Sequence, residues 1–164
     1  MSETLFGGLR FSTEKAFPLS TDTVVLADFV RLSKGAKVCD LGMGSGALTF
    51  LLQVRHPTAH FSGIELNPSA YEMAHQNIID NHLEDSCVAY HKDLRLVSSF
   101  LPANGFTHVV SNPPYFSQGS GFVHGVMASA RGEETCALSD LCESAKWLLQ
   151  YGGTFSLVYR PERL

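Results

Sequence analysis

The sequence lacks the long hydrophobic runs that mark membrane proteins and secreted precursors. No apolar run in its 164 residues approaches the roughly 18 to 20 residues that a membrane-spanning helix needs. The glycine-rich N-terminus, which contains Glu3 and Arg10, does not resemble a signal peptide. We therefore expect a soluble, cytoplasmic protein that has no membrane partner.

The sequence also lacks the residue spacings of a metal site. Its four cysteines have no CxxC spacing. His75 and His82 are too far apart for the one-turn spacing of a chelating pair on a helix. We therefore expect no metal and no disulfide.

Positive charge is scarce as well. Twelve Lys and Arg residues stand against 16 Asp and Glu, giving a net charge of −4, which excludes a uniformly basic surface for non-specific nucleic-acid binding. The composition still allows a local basic patch, with Arg10, Lys15 and Arg131 as candidates near a binding cleft. We expect Arg31, Lys34 and Lys37 instead to complement the C-terminus of a helix.

What the sequence does contain is an alternation of short β-like runs and longer helical runs, which is typical of an α/β domain. The 45% of hydrophobic and 17% of charged residues indicate a compact core. Strands are expected at 36–41, 60–66, 86–93, 106–111 and 154–160, and helices at 23–33, 47–54, 68–81 and 138–150. Right-handed crossovers then predict a doubly wound, mainly parallel sheet that binds ligands beyond the carboxyl ends of its strands.

Local signals predict where the helices begin and end. The expected N-caps are Thr21 or Asp22, Asn67 and Ser139. Gly152-Gly153 is expected to end the last helix before the fifth strand begins.

A glycine loop follows the first of these strands, between Asp40 and Ala47. Its glycines, Gly42, Gly44 and Gly46, allow a tight turn and the close approach of a ligand. The pattern fits a dinucleotide fingerprint, but it fits S-adenosylmethionine too. The negative charge of Asp40 favours the second ligand, because it suits an ammonium and a sulfonium and repels a pyrophosphate.

Two more carboxylates stand at strand ends. Glu65 can accept both hydroxyls of a ribose, and Asp93 can accept a hydrogen bond from the amine of an adenine. Each of them alone could equally be a helix cap or a solvated turn. Their placement beside a glycine loop favours a nucleotide site.

The fourth strand runs into Asn112-Pro113-Pro114-Tyr115, which by itself could be a turn stiffened by its prolines. Beside a cofactor site, however, these residues offer an amide oxygen, a proline-stiffened backbone carbonyl and an aromatic face. Those groups suit a planar amine.

With these motifs in this order, the chain resembles the class I S-adenosylmethionine-dependent methyltransferases, whose fold is Rossmann-like, and within them the amino-methylating group marked by an NPPY motif. The resemblance implies that Asn112 and Pro113 accept hydrogen bonds from the target amine and that Tyr115 stacks on its plane. Substrate contacts are implied for Pro114, Phe116 and Arg131. The implied cofactor-binding residues are Asp40, Gly42, Gly44, Gly46, Glu65, Leu66, Asp93, Leu94 and Asn112.

The stretch Pro18–Ala27 resembles the segment before the glycine loop in the tRNA (valine) adenine-N6 methyltransferases. This implies methylation of adenine N6 in an RNA partner, namely tRNA. Methylation of a protein glutamine and a non-catalytic domain that binds S-adenosylmethionine are the alternatives, and a dehydrogenase is the weakest reading.

The length of the chain can be compared with the number of strands in that family. We divide the chain into an N-terminal cap segment with a helix, 1–35, and a cofactor-binding core, 36–164. Class I methyltransferases have two further strands, so the sheet is expected to be truncated after its fifth strand. The uncovered edge of that strand is expected to pair with a second copy of the chain.

Overall fold

Five parallel strands form the sheet around which the chain is built, in the order β5-β4-β3-β6-β7. The computed structural model describes residues 2–4, 8–12, 19–113 and 136–159. The elements are β1 (Ser2–Thr4), β2 (Arg10–Ser12), α1 (Thr21–Phe29), β3 (Lys37–Leu41), α2 (Ala47–Arg55), β4 (His60–Glu65), α3 (Pro68–Asp80), β5 (Cys87–His91), a 3₁₀ helix (Leu94–Ser99), β6 (Phe106–Ser111), α4 (Leu138–Leu148) and β7 (Leu149–Leu157). The predicted doubly wound α/β fold is confirmed.

Each face of the sheet carries its own hydrophobic core. Val38 and Val110 point to the face that α1, α2 and α3 cover. Their neighbours Cys39 and Val109 point to the other face, where the 3₁₀ helix and α4 pack. Because side chains alternate along a strand, the near-continuous apolar runs of β3 and β6 are what a sheet covered on both faces requires.

The first helix is shorter than predicted. Its N-cap is Ser20, whose hydroxyl accepts from the amide of Thr23, rather than Thr21 or Asp22. It ends at Phe29 because the chain turns extended at Val30 to reach β3. Phe29 is therefore 72% exposed instead of lying on the apolar side of a longer helix.

The junction of α4 and β7 also differs from the prediction. The helix ends at Leu148 and the strand begins at the next residue, so Gly152-Gly153 lies inside β7. Phe106 pairs with Leu149 whereas His108 pairs with Thr154, and residues 150–153 form the irregularity between these pairs. Gly152 takes φ +75° there, a conformation that favours glycine.

A smaller difference concerns the first turn of α4. The carboxylate of Asp140, not Ser139, closes the first turn of α4 by accepting from the amide of Ala137 at 2.9 Å.

At the edge of the sheet, β7 has no further partner strand among the described residues. Pairing of a second copy with this edge stays a prediction.

A short antiparallel hairpin, β1–β2, was not expected within the N-terminal segment. Long-range contacts hold it on α3. Asn81 accepts from the amide of Arg10 at 2.7 Å and donates to its carbonyl, and Phe11 is fully buried with its ring 5.8 Å from that of Phe50. The hairpin thus lies beside the helix that follows the glycine loop.

Candidate active site at the carboxyl edge of the sheet

The glycine loop is closed by its own backbone. The amides of Gly42 and Met43 both donate to the carbonyl of Ile64, at 2.9 and 3.0 Å, which fastens the loop to the end of β4. Gly46 has φ +94°, and a Cβ there would lie 2.6 Å from the ring of Phe50. Glycine is therefore required at this position by conformation and by space.

No described atom covers the outer surface of the glycine loop at Gly42 or Gly44. A Cβ built on Gly42 or Gly44 would meet no described atom within 4 Å, although both residues have positive φ. Among the described residues, nothing therefore prevents a ligand from approaching this backbone closely.

Glu65 ties the loop to the start of α3. Its Oε2 accepts from the amide of Gly44 at 2.8 Å and its Oε1 from the amide of Asn67 at 2.7 Å. A carboxylate oxygen has two acceptor sites, so each keeps one for a further donor such as a ribose hydroxyl. The next residue, Leu66, is about half exposed beside it.

Asp40 lies beneath the loop and is 1% exposed. The hydroxyl of Thr49 donates to its Oδ2 at 2.9 Å. Burial raises the pKa of this carboxyl to about 7, and the nearby charge of Glu65 adds to the effect while the Thr49 bond opposes it. The full negative charge that was expected to reject a pyrophosphate is thus present only above neutral pH.

Asp93 stands two residues beyond β5, where it caps the 3₁₀ helix. Its Oδ1 accepts from the amide of Arg95 at 2.9 Å, and its Oδ2 lies 2.7 Å from the guanidinium of the same residue. These hydrogen bonds from Arg95 lower the pKa of Asp93. An adenine amine would have to share the carboxylate with Arg95. The following residue, Leu94, is partly buried against the core.

Asn112 follows β6 at the other side of the loop. The hydroxyl of Ser111 donates to the carbonyl of Leu41 at 2.7 Å, which joins the ends of β6 and β3 just before it. The side-chain nitrogen Nδ2 of Asn112 donates to Oγ1 of Thr23 at 2.7 Å. Its Oδ1 is buried, and among the described residues it has no hydrogen-bond partner.

The sheet thus brings together the carboxyl ends of β3, β4 and β6, which carry Asp40, Glu65 and Asn112. Pro113 is the last described residue before the gap. The other predicted substrate residues, Pro114, Tyr115, Phe116 and Arg131, lie outside the described residues. Within the described part of the chain no cluster of ligating side chains could hold a metal ion, and no helix is long and apolar enough to cross a membrane.

Sequence reasoning missed the side chains that support this site. Thr49 and Thr23 hold Asp40 and Asn112, and Asn77 donates to the carbonyl of Ser45 in the glycine loop at 3.1 Å. The same Asn77 binds both backbone groups of Ser12 in the hairpin. The Ser20–Thr23 spacing is a helix-capping signal that could have been found. A buried asparagine inside a helix gives no signal of its partners.

A parallel sheet with a glycine loop after its central strand and a carboxylate at the end of the next strand is a Rossmann-like arrangement, and it matches the fold of class I methyltransferases. Solved structures agree on the fold. A predicted O-methyltransferase from Agrobacterium tumefaciens superposes with a TM-score of 0.66 at 24% identity, over 87% of this chain and 62% of that one. Geranyl diphosphate C-methyltransferase from Streptomyces coelicolor gives 0.63 at 13% identity, over 82% and 43%.

The chain belongs to the methyltransferase small domain family, whose model matches residues 15–163. A tRNA1(Val) (adenine(37)-N6)-methyltransferase from Vibrio campbellii is 32% identical over 145 residues, which are 88% of this chain and 59% of that protein. The protein of the same name from Vibrio cholerae is 28% identical over 152 residues, 91% of this chain and 62% of the relative. The chain therefore spans about three fifths of the length of these curated relatives.

Proposed function

We propose that this chain contains the catalytic site of an S-adenosylmethionine-dependent N-methyltransferase that acts on adenine N6 of tRNA in the cytoplasm. Family membership and the names of the relatives support the chemistry and the substrate. The observation that carries the proposal is Oδ1 of Asn112, a buried acceptor at the carboxyl edge that no described donor satisfies. Buried polar atoms are rarely left unpaired, so a donor from a ligand is expected there.

The described residues fit S-adenosylmethionine. The open surface of Gly42 and Gly44 admits a ligand, and the free acceptor sites of Glu65 suit the hydroxyls of its ribose. Above neutral pH, Asp40 provides negative charge beneath a positively charged ligand. When bound, this cofactor supplies an electrophilic methyl group on a sulfonium.

The role of Asn112 is to hold and prepare the amine. An amine conjugated to a ring is a poor nucleophile, because its lone pair is shared with the ring. Acceptors placed at its two hydrogens, Oδ1 of Asn112 and the carbonyl of Pro113, favour a pyramidal nitrogen whose lone pair is directed out of the ring plane. Fixing the amine in this orientation supplies much of the remaining rate enhancement.

The variant Asn112→Ala tests this role. We expect it to lower methyl transfer by about 100-fold or more, as the loss of a preorganised polar group does in other enzymes, while the affinity for S-adenosylmethionine stays within about threefold of wild type, a difference of under 1 kcal/mol. The assay is transfer of labelled methyl groups into a tRNA pool, followed by mass spectrometry of the nucleosides. Asn104→Gly, in the exposed turn before β6 where φ is +57°, is the control.

Three outcomes would count against the proposal. Label in the protein fraction of a cell extract would favour methylation of glutamine. Cofactor binding without transfer to any acceptor would favour a non-catalytic domain. Tight binding of NAD with no response to S-adenosylmethionine would favour a dehydrogenase.

A further inference from the structure

The first turn of α1 contacts the residue that the proposed chemistry depends on. The side-chain nitrogen Nδ2 of Asn112 lies 2.7 Å from Oγ1 of Thr23 and 3.4 Å from Oγ of Ser20. These two residues are 89 and 92 positions away in the sequence. Thr23 is 6% exposed, so solvent does not compete for its hydroxyl. The contact joins the N-terminus of the first helix to the end of β6.

The hydroxyls of Ser20 and Thr23 form a chain of hydrogen bonds that ends at the side-chain amide of Asn112. Ser20 Oγ accepts from the amide of Thr23 at 3.2 Å and lies 2.9 Å from Oγ1 of Thr23. The hydroxyl hydrogen of Thr23 can therefore go to Ser20, which leaves a lone pair of Thr23 for the N–H of Asn112. With its nitrogen held in this way, the amide of Asn112 presents Oδ1 on its other side.

We propose that Thr23, supported by Ser20, is a positioning residue that keeps the amide of Asn112 in the one orientation able to accept a hydrogen bond from the target amine. The inference rests on the proposed function. An amide rotated by half a turn would offer a donor to another donor, and the amine would lose its acceptor. In this arrangement Thr23 acts through Asn112, to which its hydroxyl is hydrogen-bonded.

Two variants separate the hydroxyl from the shape of the side chain. Thr23→Val replaces the hydroxyl by a methyl group of similar size, and Thr23→Ser keeps the hydroxyl. We expect Thr23→Val to lower kcat by about 10- to 100-fold, less than the loss of a directly contacting group, and to leave KM for tRNA and the affinity for S-adenosylmethionine unchanged. Thr23→Ser should retain kcat within about threefold, which is under 1 kcal/mol. Thr154→Val, on the exposed part of β7, is the matched control.

A double variant asks whether Thr23 acts through Asn112. In the Asn112→Ala background, Thr23→Val should have no further effect on kcat, because the group that it positions is gone. An additive loss would overturn the inference. So would wild-type kcat in Thr23→Val, or an equal loss in Thr23→Ser.

A readout without turnover keeps this test separate from that of the proposed function. In ¹⁵N NMR spectra we expect the side-chain NH₂ of Asn112 to exchange slowly with solvent in the wild type and in Thr23→Ser, and rapidly in Thr23→Val. Identical exchange in all three would overturn the positioning role even in an active enzyme. The expected pattern in a protein that methylates no RNA would leave the positioning of Asn112 in place and contradict the proposed function.

Discussion

The two edges of the parallel sheet use their polar side chains in opposite ways. At the carboxyl edge, Glu65 and Asn112 are partly engaged by the protein and keep acceptor capacity for something else. At the amino edge, Arg31 donates to the carbonyls of Asp28 and Val30 at the end of α1, and Arg55 lies 3.2 Å from the carboxylate of Asp28. The charged groups there bind other groups of the protein, at the C-terminus of α1 and between α1 and α2.

The two edges also hold titratable groups whose pKa values are shifted in opposite directions, in both cases mainly by burial. Burial, and then the charges of Arg31 and Arg55, lower the pKa of His56 at the amino edge. Burial and the charge of Glu65 raise the pKa of Asp40 at the carboxyl edge. A shifted pKa is found at both edges and does not by itself mark a ligand site, whereas the buried acceptor without a described donor, Oδ1 of Asn112, lies at the carboxyl edge.

The largest effect on cofactor affinity is expected from removing the carboxylate of Glu65, which joins the glycine loop to the start of α3. Glu65→Ala loses the bonds to Gly44 and Asn67 together with the acceptors for a ribose. Hydrogen bonds to a charged group contribute about 1.5 to 3 kcal/mol, so affinity for S-adenosylmethionine should fall by about 10- to 100-fold in calorimetric titration. Glu72→Ala, on the exposed side of α3, is the control, and an unchanged affinity in Glu65→Ala would remove Glu65 from the site.

A smaller effect is expected from Asp40, and it depends on pH. If the cofactor binds only the ionised carboxyl, its affinity should rise by about tenfold between about pH 6 and about pH 8, because the competent fraction rises through a pKa of about 7. Asp40→Asn should remove this slope. The same slope in the variant would assign the pH dependence to another group.

Asp40 also predicts how the free protein responds to pH. Its pKa in the fold, about 7, lies above the ordinary 3.8, so the folded state binds more protons than the unfolded one between these values. Stability should therefore fall as pH rises from about 4 to about 7. Thermal melts should show a weaker decline in Asp40→Asn, and an equal decline would contradict the raised pKa.

The smallest effect is expected at the amino edge. Arg31→Ala removes a cation from the C-terminal end of α1 and should cost about 0.5 kcal/mol of stability. Cofactor affinity should not change. A loss of affinity comparable to that of Glu65→Ala would show that the two edges are not functionally distinct.

Local signals predicted those parts of the fold that depend on neighbouring residues. The apolar runs gave the five strands, and Asn67 caps α3 with Pro68 at its first position as predicted. The β1–β2 hairpin was missed because its strands have three residues each, and Asn77 and Asn81, more than 60 positions away, hold β2 in place. The bulge in β7 was missed because consecutive glycines after a helix resemble a helix stop.

The candidate site likewise has residues that the sequence predicts and contacts that it does not. Glycines and carboxylates at strand ends are visible in the sequence because the fold places those ends together. Their partners are not visible, since the contact of Thr23 with Asn112 spans 89 positions. Nor does the sequence reveal that Asp93 is bound by Arg95, because a carboxylate looks the same whether its partner is a ligand or a neighbour.

The hydrogen bonds of Asn77 couple the order of the glycine loop to that of the N-terminal hairpin. One side chain binds the backbone of Ser12 and the carbonyl of Ser45, so disorder in either segment removes a partner from the other. The coupling is reciprocal. If an ordered hairpin raises the affinity of the loop for a ligand, binding of that ligand stabilises the ordered hairpin by the same free energy. Ligand binding at the loop should then slow amide hydrogen exchange at Arg10–Ser12, so exchange in this strand reports on ligand binding at the loop.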